Sequence, residues 1–172
     1  MKLIKSIAAL FGSFVLAGNV SAGITESMVF EAQNRWGKGI VQIGRAKIDG
    51  GDYRAAAAEH ITDLYDYQHG PVLFKPTKAK YDQFRQTFEE AHSYFVKGIV
   101  KEDGGFAINP WKNVRFENHK VLIENDMALA MGNYYFTTID NQEVKVEYTF
   151  GYRLDDNNQL KIVLHHSSLP FS

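Results

Sequence analysis

The chain has no cysteine among its 172 residues. This absence excludes disulfides, thiolate metal sites and thiol nucleophiles, and it also excludes a lipoprotein, because lipid attachment needs a cysteine. A surplus of positive charge is missing as well, since 19 Lys and Arg residues stand against 20 Asp and Glu residues. Binding to nucleic acid requires a basic face, so we expect no nucleic-acid partner.

Residues 1–22 have the composition of a signal peptide. Lys2 and Lys5 form a short basic region, and an uncharged apolar run follows over residues 7–18. The small residues around Ala22 predict cleavage after that position. The apolar run is too short for a membrane anchor, because a helix that spans a bilayer needs about 20 residues. We therefore expect a bacterial protein that is periplasmic or secreted, with no membrane association.

Removal of residues 1–22 leaves 150 residues, which is the size of one domain with a buried core. Loss of the two lysines leaves 17 basic against 20 acidic residues, a net charge of −3. Apolar residues recur at helical spacing after Thr25 and again after Asp52, two residue types that commonly cap helices. A third stretch with this spacing follows Thr77, which is well placed to cap a third helix. Residues 23–172 are thus predicted to form a single domain, and its first half is predicted to be helical.

The pattern changes to alternating strands at residue 113. Four strands are predicted at 113–124, 127–138, 143–154 and 159–168, and polar turns separate them. Helices followed by an antiparallel meander indicate an α+β fold. In the predicted architecture, a curved antiparallel sheet wraps around the N-terminal helices as a cone with a cavity inside.

The last strand carries two imidazoles and two hydroxyls in the run His165-His166-Ser167-Ser168. Imidazole titrates nearest neutrality, and hydroxyls both donate and accept hydrogen bonds. Side chains alternate along a strand, so His166 and Ser168 share the face of Ile162, whereas His165 and Ser167 take the other face. We predict that His166 and Ser168 point into the cone. A bulge before Pro170 would reverse the two faces.

Six segments, in their order along the chain, resemble one family. They are GPVLFKPT at 70–77, AHSYF at 91–95, GFAINPW at 105–111, MGNYYF at 131–136, EYTFGY at 147–152 and HHSSLP at 165–170. Together they resemble the iota-class carbonic anhydrases, bacterial and algal members of the kinase II association-domain group. The resemblance covers nearly all of residues 24–171 and implies the nuclear transport factor 2-like, or SnoaL-like, cone fold. It also implies reversible hydration of carbon dioxide to bicarbonate and, because cone folds commonly pair through the outer sheet face, a homodimer.

The resemblance further implies a pocket built from Thr77, Tyr94 and the His and Ser of the terminal motif. Combined with the strand alternation, it predicts Thr77, Tyr94, His166 and Ser168 as catalytic residues. Four further residues are predicted to contact the substrate: His165, Ser167, Tyr148 and Phe95. In this hypothesis the hydroxyls hold carbon dioxide and water in attack geometry, and His166 withdraws a proton as water attacks.

A metal ion would provide another route, because zinc lowers the pKa of bound water to about 7. Adjacent histidines on a strand face opposite ways, so His165 and His166 should not bind one ion together. The histidines at 60, 92 and 119 stand alone in the sequence. We expect no metal and no other cofactor, with zinc or another divalent metal as the alternative. A non-catalytic cone-fold module for ligand binding or oligomerisation is the competing functional interpretation.

Overall fold

The computed structural model describes residues 23–172, so the predicted signal peptide lies outside the described residues. Two helices come first, α1 (Glu26–Ile48) and α2 (Tyr53–Leu64). Both begin where the sequence predicts: Thr25 Oγ1 accepts a hydrogen bond from the Met28 amide (3.3 Å), and the Asp52 carboxylate accepts one from the Ala55 amide (2.9 Å). These side chains satisfy amides that the first turn of a helix leaves free.

A glycine lets the two helices pack closely. A Cβ atom at Gly39 of α1 would lie only 2.1 Å from Nδ1 of His60 on α2. The His60 ring is buried at this contact, and it also packs against the rings of Trp36 (centroids 6.1 Å apart) and Phe95 (5.7 Å).

Five strands form one curved, unclosed sheet. They are β1 (Leu73–Lys75), β2 (Trp111–Glu124), β3 (Met127–Thr138), β4 (Glu143–Leu154) and β5 (Leu160–Ser168), and their order across the sheet is β1-β5-β4-β3-β2. Strands β2 to β5 form the predicted antiparallel meander, and β1 pairs with β5 in parallel. Asparagines at 125, 141 and 158 adopt positive φ in the turns, which Asn tolerates better than most residues. The α+β fold is therefore confirmed.

The core lies between α1 and the concave face of the sheet, and aromatic rings dominate it. Trp36 of α1 is almost fully buried and meets the rings of Phe116, Tyr134, Phe136 and Phe150 from the sheet edge-to-face. Such geometries place a ring's positive edge against its neighbour's negative face. No helix within residues 23–172 is both long enough and apolar enough to cross a membrane.

The third helix differs from the prediction. Helix α3 spans Phe88–Val96 and is capped by Thr87, whose hydroxyl accepts from the Glu90 amide while the Glu90 carboxylate accepts from the Thr87 amide. This reciprocal capping box begins the helix at Phe88. Residues 76–87, called the 76–87 loop below, contain no helix or strand, so Thr77 lies in a loop and the predicted helix start there is wrong.

Candidate active site

A bulge in β5 decides which side chains of the terminal run face the interior. Tyr152 of β4 pairs with Ile162, but its neighbour Gly151 pairs with Leu164, which leaves Val163 as an extra residue. The next inward-facing side chain after Ile162 is therefore that of His165, three positions on, instead of that of Leu164, two positions on.

His165 and Ser167 consequently point into the cone and are only 2% and 3% exposed. His166 is exposed, and the Ser168 hydroxyl donates to the Glu147 carboxylate (2.9 Å). The prediction that His166 and Ser168 face inward is thus wrong. The pair assigned to substrate contact, His165 and Ser167, occupies the interior instead. Glu147 itself is exposed.

Thr77 and Ser167 meet inside the cone although 90 positions separate them in the sequence. Thr77 Oγ1 donates to Ser167 Oγ (2.8 Å), which joins the 76–87 loop to β5. The Tyr134 hydroxyl lies within hydrogen-bonding reach of both. Tyr94 of α3 accepts a long hydrogen bond from the Lys78 amide (3.5 Å). We call these four side chains, Thr77, Tyr94, Tyr134 and Ser167, the hydroxyl cluster.

Burial keeps the two phenols of the hydroxyl cluster protonated. Removal from water raises the pKa of Tyr94, and only weaker effects from the Lys78 amide and the Arg85 charge act against it. Burial likewise raises the pKa of Tyr134, although its bonds to Ser167 and Thr77 oppose that shift. Both side chains are therefore O–H groups near neutral pH, able to donate a hydrogen bond to an oxygen of a small molecule.

A hydrogen-bonded chain fixes the tautomer of His165. Trp36 Nε1 lies 2.8 Å from the Tyr65 hydroxyl, which in turn lies 2.8 Å from His165 Nδ1. An indole nitrogen can only donate, so Tyr65 accepts from Trp36. The Tyr65 hydroxyl hydrogen has no other acceptor among the described residues, and it is satisfied when it points to an unprotonated His165 Nδ1. The imidazole proton then resides on Nε2, which is buried and has no hydrogen-bond partner among the described residues.

His165 is also neutral. Burial lowers its pKa well below the ordinary value, and the nearby imidazoles of His166 and His60 act in the same direction. The ring stacks on Phe74, with centroids 4.5 Å apart and planes inclined by 13°, and Phe150 meets it at 4.3 Å. A neutral imidazole between apolar rings thus presents one N–H donor on the face that carries Ser167.

The two predicted aromatic contacts lie near this cluster in different ways. Phe95 is fully buried and stacks on Phe74 at 6.0 Å, which places it behind the ring that covers His165. Tyr148 is the strand partner of Ser167, but its hydroxyl accepts from Gln33 Nε2 (3.1 Å) and donates to Asn118. Tyr148 therefore belongs to a neighbouring polar group.

Two residues of the site have no place in the sequence-based prediction. Tyr65 ends α2, a hundred positions before the histidine that it orients, so no local pattern connects them. Tyr134 lies in the MGNYYF segment, where its inward position on β3 could have been deduced from strand alternation. A signal for the bulge was also present, because a glycine inside a strand, here Gly151, commonly accompanies one.

The residues present do not fit a metal centre. Within residues 23–172, no three His, Asp or Glu side chains are grouped so that they could hold an ion. His165 Nδ1 is engaged by Tyr65, and the other nearest side chains of the site are hydroxyls and aromatic rings. Neutral hydroxyls without carboxylates or further imidazoles are a poor donor set for zinc.

Comparison with known proteins gives one consistent result. The model of the family "Metal-independent carbonic anhydrase" matches residues 27–169. A protein of that name from Nostoc sp. (strain PCC 7120 / SAG 25.82 / UTEX 2576) is 40% identical over 157 residues, which cover 88% of this chain and 77% of the relative.

Solved structures agree with the sequence matches. A cyanobacterial iota-carbonic anhydrase complexed with bicarbonate superposes with a TM-score of 0.85 and 39% identity, over 87% of this chain and 94% of that one. A putative calcium/calmodulin-dependent protein kinase II association domain from Xanthomonas campestris, at 23% identity and a TM-score of 0.55 over 86% and 87% of the two chains, shares the fold alone. A nuclear transport factor 2-like protein from Salmonella enterica does so as well, at 12% identity and a TM-score of 0.53 over 87% and 95%. The six motifs, the cone fold and these matches agree, and the chain belongs to the metal-independent, iota-class carbonic anhydrases.

Proposed function

We propose that carbon dioxide is hydrated at the hydroxyl cluster together with His165. The observation that carries this assignment is the hydrogen bond between Thr77 and Ser167 on the strand face that also presents the unpartnered Nε2–H of His165. The cyanobacterial relative whose structure contains bicarbonate has the same fold at 39% identity, which supports a bicarbonate-sized site in this family.

Donor groups fixed in place supply most of the catalysis in this proposal. When the oxygen of water bonds to the carbon of carbon dioxide, an electron pair moves from a C=O bond onto oxygen, which becomes negative. The Nε2–H of His165 and the hydroxyls of Tyr94 and Ser167 are available to stabilise that charge. Donors already fixed in a water-poor site need no reorganisation during the reaction, so each is worth far more there than in water.

The proton leaves through hydroxyl groups. Neutral His165 offers an N–H at Nε2 and no free lone pair, so it acts as a donor in place of the base that the sequence suggested. A hydroxyl can accept a proton from the attacking water while it passes its own hydrogen onward. Thr77 is the partly exposed member of the hydrogen-bonded pair. Its hydroxyl accepts the proton of the attacking water and, after rotating away from Ser167, releases its own hydrogen to solvent, while Ser167 remains a donor to the developing charge. We infer that no metal or other cofactor takes part, in keeping with the family.

The doubled residues of β5 provide matched variants for the test. Ser167→Ala is expected to lower kcat/KM for carbon dioxide hydration about 10²- to 10³-fold, the usual effect of removing one donor to a developing oxyanion. Ser168→Ala changes the same side chain one position away on the outer face and should leave the rate unchanged. Stopped-flow hydration assays on the purified variants would measure both. Loss of activity in Ser168→Ala with full activity in Ser167→Ala would contradict the assignment.

We also propose that the protein is a homodimer that pairs through the outer face of its sheet. Residues in register across that face form a leucine row: Leu122, Leu129, Leu164 and Leu73, which lie on β2, β3, β5 and β1. On β4 the row crosses Gly151, where a Cβ would come within 3.0 Å of Leu164 and 3.2 Å of Leu129. Three of the four leucines are exposed, and an apolar surface of this kind is typical of an interface.

The proposed location of the enzyme is the periplasm or the exterior. It rests on the basic and apolar regions of residues 1–22 and on the small residues around Ala22. Mass spectrometry of the protein recovered from the periplasm is expected to find an N-terminus at Gly23. An intact N-terminus at Met1 would contradict the proposal.

A further inference from the structure

The 76–87 loop carries part of the proposed site and has no regular structure of its own. Thr77, which bonds to Ser167, lies in it, and so does the Lys78 amide that reaches the Tyr94 hydroxyl. A helix or strand would fix such groups through its own backbone ladder. Here the position of Thr77 must be set by contacts between the loop and the rest of the protein.

Glu102 supplies the first of these contacts. Its carboxylate accepts hydrogen bonds from three consecutive backbone amides of the loop, those of Lys80 (3.0 Å), Tyr81 (3.1 and 3.2 Å) and Asp82 (2.7 Å). The Asp82 amide, followed by the other two, lowers the pKa of Glu102. Successive amides that converge on one anion form a small concave binding site, which Glu102 occupies.

Asp103, the next residue, supplies the second contact. It accepts from the Arg85 guanidinium at 2.5 Å, and both side chains are fully buried. The other terminal nitrogen of Arg85 donates to the backbone carbonyls of Asp82 (2.5 Å) and Phe84 (3.2 Å). The guanidinium carbon also lies 5.8 Å from the centre of the Tyr94 ring. The pair therefore connects the loop to the wall of the hydroxyl cluster.

We propose that Glu102 and Asp103 are positioning residues for carbon dioxide hydration, because they hold the 76–87 loop where Thr77 meets Ser167 and the Lys78 amide meets Tyr94. This inference rests on the proposed function of the hydroxyl cluster. The two acids touch no reacting atom, and their effect passes through the loop. A displacement of about 1 Å in a reacting group can cost about 100-fold in rate, so a loosened loop is sufficient to impair catalysis.

Glu102→Gln is the first variant to measure. It preserves the size of the side chain but replaces the charged carboxylate by an amide with a single acceptor oxygen, so three amides can no longer be satisfied equally. We expect kcat to fall about 10-fold with KM nearly unchanged, because the loop orients reacting groups more than it binds substrate. The control is Glu117→Gln, an outer-face carboxylate bonded to Arg115 (3.0 Å), which should leave kcat unchanged. Asp103→Asn is less suitable, because it leaves a buried guanidinium without its counter-charge.

Chemical rescue separates positioning from general stability. Glu102→Gly empties the concave site formed by the Lys80, Tyr81 and Asp82 amides, and formate is small enough to occupy it. Added formate is expected to restore kcat in Glu102→Gly and to leave the wild type and Glu102→Gln unimproved. The assay must follow initial hydration rates without added bicarbonate, because bicarbonate resembles the rescuing anion.

A double variant distinguishes failure of this inference from failure of the proposed site. Glu102 is proposed to act through the loop, whose shorter contact with the cluster is the 2.8 Å bond from Thr77 to Ser167. The double variant Thr77→Ala/Glu102→Gln should therefore lose much less activity than the product of the two single losses. Full activity in Thr77→Ala would refute the proposed site itself. An impaired Thr77→Ala with a fully active Glu102→Gln would overturn only the positioning role. So would additive losses, or a Glu102→Gly variant that formate does not restore.

Discussion

Acidification is expected to destabilise the folded protein between pH 7 and pH 5, because two histidines are buried in the neutral form. Burial lowers the pKa of His60 to about 3, with the Arg35 charge acting in the same direction. Burial also lowers the pKa of His165. In the unfolded chain both imidazoles regain an ordinary pKa near 6.5 and take up protons that the folded protein excludes. The contribution of these two neutral imidazoles to the free energy of unfolding is therefore complete above the pKa that they have in the unfolded chain. It is lost as the pH falls through that value.

The size of this effect follows from linkage. Protonation of one unfolded imidazole stabilises the unfolded state by about 0.2 kcal/mol at pH 7 and by about 2 kcal/mol at pH 5. Folded His60 binds almost no proton at pH 5, so this residue alone removes about 2 kcal/mol of stability across the window. This loss of about 2 kcal/mol hardly changes as long as the pKa of folded His60 stays below about 4, because the loss then depends only on protonation of the unfolded chain. His165 contributes with the same sign.

Urea denaturation at several pH values, followed by the fluorescence of the buried Trp36, would measure the loss directly. His60→Gln removes one titrating group and should retain only the pH dependence due to His165. His119→Gln, a change at an exposed position on β2, is the matched control and should keep the wild-type dependence. Equal free energies of unfolding at pH 7 and pH 5 in the wild type would refute the reasoning. So would a His60→Gln variant whose free energy of unfolding depends on pH as strongly as that of the wild type.

Three further predictions concern the site and the assembly. Tyr65→Phe leaves the Trp36 indole N–H and His165 Nδ1 buried without a partner, so we expect urea denaturation to show a loss of stability of about 1–3 kcal/mol for each group. The hydration rate should also fall, because the imidazole tautomer is no longer fixed. Wild-type kinetics would contradict this role for Tyr65. Leu129→Lys places a charge in the leucine row and should convert the dimer to monomers in analytical ultracentrifugation. Ile48→Lys, at an exposed apolar position outside the row, should leave the dimer intact. A wild-type protein that sediments as a monomer would refute the proposed pairing. Dialysis against a chelator should leave the hydration rate unchanged, and activity that disappears and returns with zinc would contradict metal-free catalysis.

Local patterns in the sequence predict most of the fold. The caps at Thr25 and Asp52 and the alternation of strands β2 to β5 are short-range signals, and the structure confirms them. The third helix was predicted too early because Thr77 and the spacing of the apolar residues after it resemble a capped amphipathic helix. The amides of Lys80, Tyr81 and Asp82 instead bond to Glu102, about twenty positions away, which no local pattern reveals.

The structure brings some of the predicted site residues together and places His166 and Ser168 on the other face of the strand. Thr77 and Tyr94 followed from the family resemblance, and the structure brings Thr77 to a serine of the terminal run. The choice between the two serines depended on strict alternation along β5, which one extra residue at Val163 overturns. Tyr65 escaped prediction because its connection to His165 exists only after α2 and β5 have packed together.

The bulge at Val163 also changes how the repeated letters of the terminal run can be understood. With His-His followed by Ser-Ser, β5 offers an imidazole and a hydroxyl two positions apart in either register. A one-residue insertion or deletion in this strand during evolution would exchange one pair for the other and still deliver the same two functional groups to the interior. The duplication therefore makes the chemistry tolerant of the kind of error to which β-strands are most sensitive.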